Sequence, residues 1–359
     1  MRRLTLRSLT STARLTALSG IALTAALVCG CSGSNDSAAT NGSSDGTGTV
    51  GSASRGGNAD SAGKLNIVTT TAMVSDIVAA VAGDRATVNG LITGSRDPHG
   101  FTAGTNDMKR MLGADAVFYN GLMLEGRMAD DFARVGRKGS PVFPVTEGID
   151  RDKLREPPEF EGHWDPHVWM SVELWSECVD HVAKELATLD KSSSDDYQTR
   201  ADEYRKQLTE LDGYIKKVIA TIPKDQRYLV TAHDAFGYFA QAYGIEVKAI
   251  QGISTDSQAA ISDINSLVDF IVENKVPSIF VESSVSQKNI EAVIEGCGSR
   301  GWTLKIGAEL FSDAMGTAGS YEGTYIGMMD HNATRITRAL GGEAPEKGWQ
   351  GKLSDAKEH

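Results

Sequence analysis

The 359-residue chain is acidic, with 47 Asp and Glu against 36 Lys and Arg and a formal net charge of −11. Residues 1–31 contain four Arg and no acid, so the remainder of the chain carries −15, a sign that argues against nucleic acid or an anionic membrane surface as a partner. Beyond residue 63, roughly 300 residues remain, enough for two lobes with separate cores.

The opening combines Arg2, Arg3, Arg7 and Arg14 with an apolar run over 15–28 and then Cys29-Gly30-Cys31. This is the layout of a bacterial export signal, expected over 1–31, and its apolar run is short for a membrane span. Val28-Cys29-Gly30-Cys31 resembles a lipobox, which makes Cys31 the expected site of lipidation. Residues 32–63 are rich in Ser, Gly, Ala, Thr and Asn with almost nothing apolar to bury, and are expected to form a flexible tether holding the protein off the membrane. Cys178 and Cys297 fall in helical patterns without any Cys-x-x-Cys, and read as buried thiols.

From residue 64 a βα alternation begins. The apolar run 65–70 predicts a buried strand, 73–81 a helix, 86–92 a strand leading into Gly94-Ser95-Arg96-Asp97-Pro98-His99, 105–112 a helix, 116–120 a strand, 126–135 a helix and 141–145 a strand. This alternation predicts an α/β fold with a mostly parallel sheet and helices on both faces, where ligands bind beyond the carboxyl ends of the strands. Residues 146–162 have no periodic pattern and lead to His163-Trp164-Asp165-Pro166-His167, after which His167 is expected to open a helix running through 172–189.

Over 194–222, Tyr197, Ala201, Tyr204, Leu208, Leu211, Ile215, Val218 and Ile222 step by four and three alternately, which predicts one long amphipathic helix ended by Pro223. Its length suits a stiff connection between lobes. The α/β pattern then restarts, with strands at 228–231, 246–250, 278–281 and 303–306, helices at 235–243, 257–274, 287–297 and 324–340, and a frayed tail. The resulting division is an N-terminal lobe over 64–191, a linking helix over 192–223, a C-terminal lobe over 224–341 and a tail over 342–359.

The Asp-Pro-His triplet occurs twice, at Asp97-Pro98-His99 and Asp165-Pro166-His167. Proline fixes φ and pushes the preceding residue toward extended conformations, so each triplet presents its imidazole from a rigid turn. Asp97 and Asp165 can each accept the backbone or ring N–H of the His two residues on, the arrangement that fixes the tautomer of a metal-binding imidazole. In the second half His233, Glu282 and Asp313 come just after strands. Three imidazoles and a carboxylate suit a divalent ion in a tetrahedral or slightly expanded site. Glu282 is read either as a fifth ligand or as an acceptor orienting a ligating ring. His163 adjoins the second triplet at the expected mouth of the crevice, whereas His181, His331 and His359 carry no metal reading.

These two triplets, together with Val168-Trp169, Thr231-Ala232-His233-Asp234-Ala235-Phe236-Gly237-Tyr238-Phe239, Phe280-Val281-Glu282-Ser283-Ser284 and Phe311-Ser312-Asp313-Ala314-Met315, resemble the successive motifs of the zinc/manganese-type (cluster A-I) metal-binding lipoproteins, the solute-binding components of ABC transporters. The resemblance covers about 64–341. It implies two α/β lobes joined by one rigid helix, a divalent ion held by His99, His167, His233 and Asp313, and delivery to a membrane permease with its cytoplasmic ATPase. It further implies a monomer, exported and anchored by N-terminal lipid in the periplasm or at the cell surface, with no catalytic role. His as third ligand leans toward zinc, but no His lies between His99 and His163, where many zinc members carry a His-rich loop, so zinc and manganese stay open. Affinity is expected to fall below about pH 6.5, where imidazoles take up protons. Two other readings use the same residues. A surface-anchored metallohydrolase would need an open metal position and usually His-Glu-x-x-His, which is absent, leaving Glu282 as the available base. An adhesin with a structural metal is the other.

Overall fold

The computed structural model describes residues 63–160, 162–255 and 259–355. The expected export signal, the tether up to residue 62 and the lipidation site Cys31 lie outside the described residues. The first half alternates β1 (Leu65–Thr69), α1 (Ala72–Ala82), β2 (Ala86–Gly90), α2 (Thr105–Leu112), β3 (Ala116–Tyr119), α3 (Ala129–Arg137) and β4 (Val142–Pro144). The four strands make one parallel sheet in the order β2-β1-β3-β4. β1 sits inside it because Ile67 and Val68 are apolar on both faces and fully buried. α1 starts where the Thr71 hydroxyl accepts the Val74 N–H, and it buries Met73, Val74, Ile77, Val78 and Val81 along one side.

Among the described residues of 146–162 the only regular elements are short 3-10 turns, as the lack of periodicity suggested. His167 does not open a helix. A 3-10 turn, Val168–Met170, intervenes, and α4 (Val172–Leu189) begins at Ser171, whose hydroxyl accepts the Leu174 N–H. Nor does His167 directly succeed a strand, since β4 ends at Pro144. What holds its loop at the sheet edge is Asn120, just past β3, whose Nδ2 donates to the Pro166 carbonyl at 3.1 Å.

α5 (Ser194–Ile219) is the long helix, about 39 Å at 1.5 Å per residue. Its predicted stripe is the buried one, from Tyr197 to Val218. Asp195 and Asp196 lie in its first turn and Lys216 and Lys217 in its last, complementing the helix dipole. It packs on α1 and α4 and on the closing helix α9 (Tyr325–Ala339). Tyr204 Oη donates to Asp76 on α1 at 2.6 Å, and Tyr214 Oη lies 2.7 Å from the Thr334 hydroxyl on α9.

The second half runs β5 (Tyr228–His233), α6 (Gly237–Tyr243), β6 (Glu246–Gln251), α7 (Ile261–Asn274), β7 (Ser278–Glu282), α8 (Lys288–Ser299) and β8 (Lys305–Leu310) before α9. β5 pairs with β6 and β7 with β8, both in parallel, and β5 lies against β7. Residues of α7, α8, β5 and β7 form a core of their own. The largest core, however, is shared. It runs from Ile67 and Val78 through α4 and α5 to Phe239, Tyr325 and Ile336, so the expectation of fully separate lobe cores is corrected. The helical spacing gave the buried faces but not their partners. Residues 342–355 are also not frayed: the Trp349 N–H reaches both Asp330 oxygens at 2.9 and 3.0 Å, and the Ser354 N–H and hydroxyl each reach Glu322 Oε1 at 2.6 Å. Turns at Gly348 and Gly351, both with positive φ, fold that segment back. Cys178 and Cys297 are free, buried thiols.

Candidate metal centre

Both Asp-Pro-His triplets use the same local device. Asp97 Oδ1 accepts the His99 backbone N–H at 2.8 Å, and Asp165 Oδ1 accepts that of His167 at 3.0 Å. An aspartate two residues upstream thus closes a tight turn, leaving the ring to project from it. At His167 the same Oδ1 also meets ring Nδ1 at 2.9 Å, which turns Nε2 toward the second half of the chain.

His233 is the last residue of β5 rather than a loop residue beyond it, and Glu282 is the last of the neighbouring β7. Glu282 Oε1 accepts the Ala232 and His233 backbone N–H groups at 2.7 and 2.9 Å, while Oε2 faces His233 Nδ1 at 2.5 Å. Both Glu282 oxygens are engaged on the Nδ1 side of the ring, so they do not point to where Nε2 points. Asp313 lies three residues past β8. Its loop is held by Asn332 of α9, which accepts the Phe311 N–H at 2.9 Å and donates to the Phe311 carbonyl at 2.7 Å.

The fold brings His99, His167, His233 and Asp313 together, with one ligand-type atom of each lying within 4.8 Å of the others. His99 Nε2 is 3.3 Å from His167 Nε2 and 3.7 Å from Asp313 Oδ2. Asp313 Oδ1 is 3.2 Å from His167 Nε2, and Oδ2 is 3.2 Å from His233 Nε2. His99 is 6% exposed and the other three at most 2%. Despite these distances, His233 Nε2 and both Asp313 oxygens lack a partner in hydrogen-bond geometry. Their lone pairs converge on a point instead of on each other. A tetrahedron with zinc–nitrogen arms of 2.0–2.1 Å has edges of about 3.3–3.4 Å, close to these separations. Among the described residues no other group of three or more such side chains is placed to hold an ion.

The electrostatics come from the packing. Burial pushes His99 down to about 4 despite Asp313, so this ring is neutral near pH 7. Burial also opposes charge on His167, but Asp165 on one nitrogen and Asp313 near the other raise it to about 9. His233 is raised well above its ordinary value by Glu282 and Asp313, again against burial. Asp313, which burial alone would raise, is held well below the usual carboxylate range by His233 and His167. Without a cation, protons neutralise the centre.

His163 does not join the cluster. It is exposed, lies tilted against Phe160 at 5.2 Å between ring centroids, and helps Trp164 line a groove of about 670 Å³ that contains none of the four clustered residues. His181 lies on α4, and His331 Nε2 is 2.9 Å from the Glu309 carbonyl. Three contributors went unrecognised in the sequence. Arg155 Nη1 donates to Asp165 Oδ2 at 2.6 Å, Tyr238 Oη donates to the Asp165 carbonyl at 3.0 Å, and Trp169 Nε1 donates to the Ser312 carbonyl at 2.9 Å, beside Asp313. Trp169 and Tyr238 lie inside motifs that also carry a ligand. Arg155 lies in a connection with no pattern at all.

Residues 67–339 match the family model described as the periplasmic zinc-uptake complex component A. The manganese-binding lipoprotein MntA of Bacillus subtilis is 42% identical over 287 residues, covering 78% of this chain and 93% of its own. The zinc-binding protein TroA of Treponema pallidum is 43% identical over 278 residues, covering 77% of this chain and 89% of its own. The solved TroA structure superposes with a TM-score of 0.75 at 42% identity, over 77% of this chain and 99% of that one. The Fe(III)-bound structure of YtgA from Chlamydia trachomatis gives a TM-score of 0.71 at 26% identity, over 78% and 99% of the two chains. A two-lobed α/β fold, a convergent buried cluster and these similarities together place the chain in the family of periplasmic zinc-uptake component A proteins, the metal-binding solute-binding components of ABC transporters.

Proposed function

We propose that this protein captures one divalent transition metal, zinc or manganese, outside the cytoplasmic membrane and hands it to an ABC permease driven by a cytoplasmic ATPase. The observation that carries this reading is the set of buried atoms, from both halves of the chain, that face one point without hydrogen-bond partners. His99 and His167 supply half of the site from the first lobe, residues 64–191, and His233 and Asp313 complete it from the second, residues 224–341, with 192–223 joining them. Asp97, Asp165 and Glu282 hold the turns and rings in place.

The role is binding and not catalysis. Four protein donors close around the ion, and the two further buried carboxylates beside it, Glu282 and Asp165, have both oxygens occupied, so neither is free to act as base on a metal-bound water. No helix among the described residues is long and apolar enough to cross a membrane. Attachment through lipid at Cys31, with the protein acting as a monomer, fits the export signal. Of the two relatives with 42–43% identity, one is named for manganese and one for zinc, so similarity does not choose the ion. By the general order of divalent affinities the site holds zinc more tightly than manganese at equilibrium, and supply then decides the cargo. In a strain lacking this gene, metal uptake from limiting medium should fall and return with the wild-type chain but not with His167→Ala; uptake unaffected by the deletion would sink the transport reading.

Capture also has a proton signature. His167, held up to about 9, and His233, raised well above its ordinary value, carry protons at pH 7.5 in the metal-free chain and must lose them to ligate, whereas His99 at about 4 is already neutral. Affinity should therefore climb with pH through the range 6–9, a higher window than the ordinary imidazole value gives, with close to two protons released per ion. Titration calorimetry in buffers of different ionisation enthalpy measures that number. A value near zero at pH 7.5 would contradict it.

A further inference from the structure

Asp165 is fully buried and divides its oxygens between two partners. Oδ1 serves His167, and Oδ2 accepts Arg155 Nη1 at 2.6 Å. Arg155 stands ten residues earlier in the chain, and the second half of the molecule holds it. Its backbone N–H donates to Tyr238 Oη at 3.0 Å, and its guanidinium lies over the Tyr238 ring at 5.6 Å. Its carbonyl accepts the Asp165 N–H at 2.9 Å. Gly237, the first residue of α6, makes the space: a Cβ there would fall 1.2 Å from Arg155 Nη1.

The other oriented imidazole lacks this arrangement. Glu282 is satisfied by His233 and two backbone N–H groups, and no Lys or Arg pairs with it among the described residues. Around the centre therefore stand three buried carboxylates, Asp165, Glu282 and Asp313, and the half-buried Asp97, whose Oδ1 accepts the His99 N–H at 2.8 Å, with one guanidinium set against them. The single positive charge of Arg155 repels a trivalent ion more strongly than a divalent one, in a site nearly closed to water. Without Arg155 the carboxylates would face the ion with no positive charge set against them.

We propose that Arg155 is a specificity-determining residue, whose positive charge on Asp165 favours capture of divalent over trivalent cations. The inference rests on the metal-capture reading above and adds to it a reason for ion valence that the four donors do not contain. Arg155 acts through Asp165 and does not touch the ion. One unit of charge a few bonds from the ion, weakened because the Arg155 side chain is 28% exposed, should alter the trivalent-to-divalent preference by roughly tenfold.

The test compares zinc with gallium(III), a trivalent ion with no redox chemistry, both supplied against citrate as common competitor to the metal-stripped protein. Arg155→Met should shift the affinity ratio toward gallium by about tenfold, and Arg155→Lys should restore it. Gly237→Ala, which displaces the guanidinium but leaves its charge in the chain, should fall between and keeps the test open if Arg155→Met folds poorly. A ratio unchanged within twofold, with both affinities falling together, would make Arg155 merely structural and overturn the inference while leaving metal capture intact. Failure of the wild-type protein to bind either ion would remove the capture reading and the inference with it.

Discussion

Asp313→Ala is expected to abolish tight metal binding, with affinity falling more than hundredfold. Asp313 is the one anionic donor of the four, it approaches all three imidazoles at 3.2–3.7 Å, and neither of its oxygens has any other partner. Changes to groups that only orient a metal ligand cost about 10- to 100-fold, so loss of the ligand itself should exceed that range. The fold should survive, because the loop is fixed by Asn332 on the Phe311 backbone and by Trp169 on the Ser312 carbonyl, not by the Asp313 side chain. Competitive titration against a chelator, with circular dichroism as control, measures both. Binding retained within tenfold by a folded variant would remove Asp313 from the ligand set.

Metal removal should have the second large effect. An ion present at a thousandfold excess over its dissociation constant adds about 4 kcal/mol to the stability of the state that binds it. At roughly 2–4 °C per kcal/mol for a chain of this size, chelation should lower the melting temperature by roughly 10 °C. Because the donors come from both halves and the largest core runs through α1, α4, α5 and α9, the transition should stay single in both states. Scanning calorimetry with and without a chelator tests this. An unchanged midpoint would mean that the folded chain does not hold the ion, and two separated transitions would contradict the shared core.

The order of strands and helices was legible because each carries its own signal. β1 reads as an unbroken apolar run, and α5 as a stripe stepping by three and four. The boundaries that moved are those set by local geometry: the 3-10 turn between His167 and α4, and His233 on the strand rather than after it. The twin Asp-Pro-His triplets announced His99 and His167, since a rigid turn with an upstream carboxylate has a mechanism that can be read off the residues. His233 and Asp313 are different. Each is one polar residue near a strand end, grouped with the triplets only by donor type and position, and it took motif resemblance to separate them as ligands from Glu282.

What could not be read is what depends on contacts between distant segments. Arg155 sits in a patternless connection, and its role comes from Asp165 ten residues on and from Gly237 and Tyr238 in the other half. The shared core was hidden for the same reason, because periodicity identifies a buried face and not the face opposite. The C-terminal segment looked frayed by composition, yet Trp349 and Ser354 anchor it to two buried carboxylates.

Whether His99, His167, His233 and Asp313 together hold one divalent ion is decided by elemental analysis with competitive zinc and manganese titration of the metal-stripped chain beginning at Gly63. The expected result is one equivalent of metal per chain, zinc held more tightly than manganese, and loss of that equivalent in His233→Ala. No stoichiometric metal in the folded wild-type protein, or an equivalent that survives His233→Ala unchanged, would contradict the four-residue site.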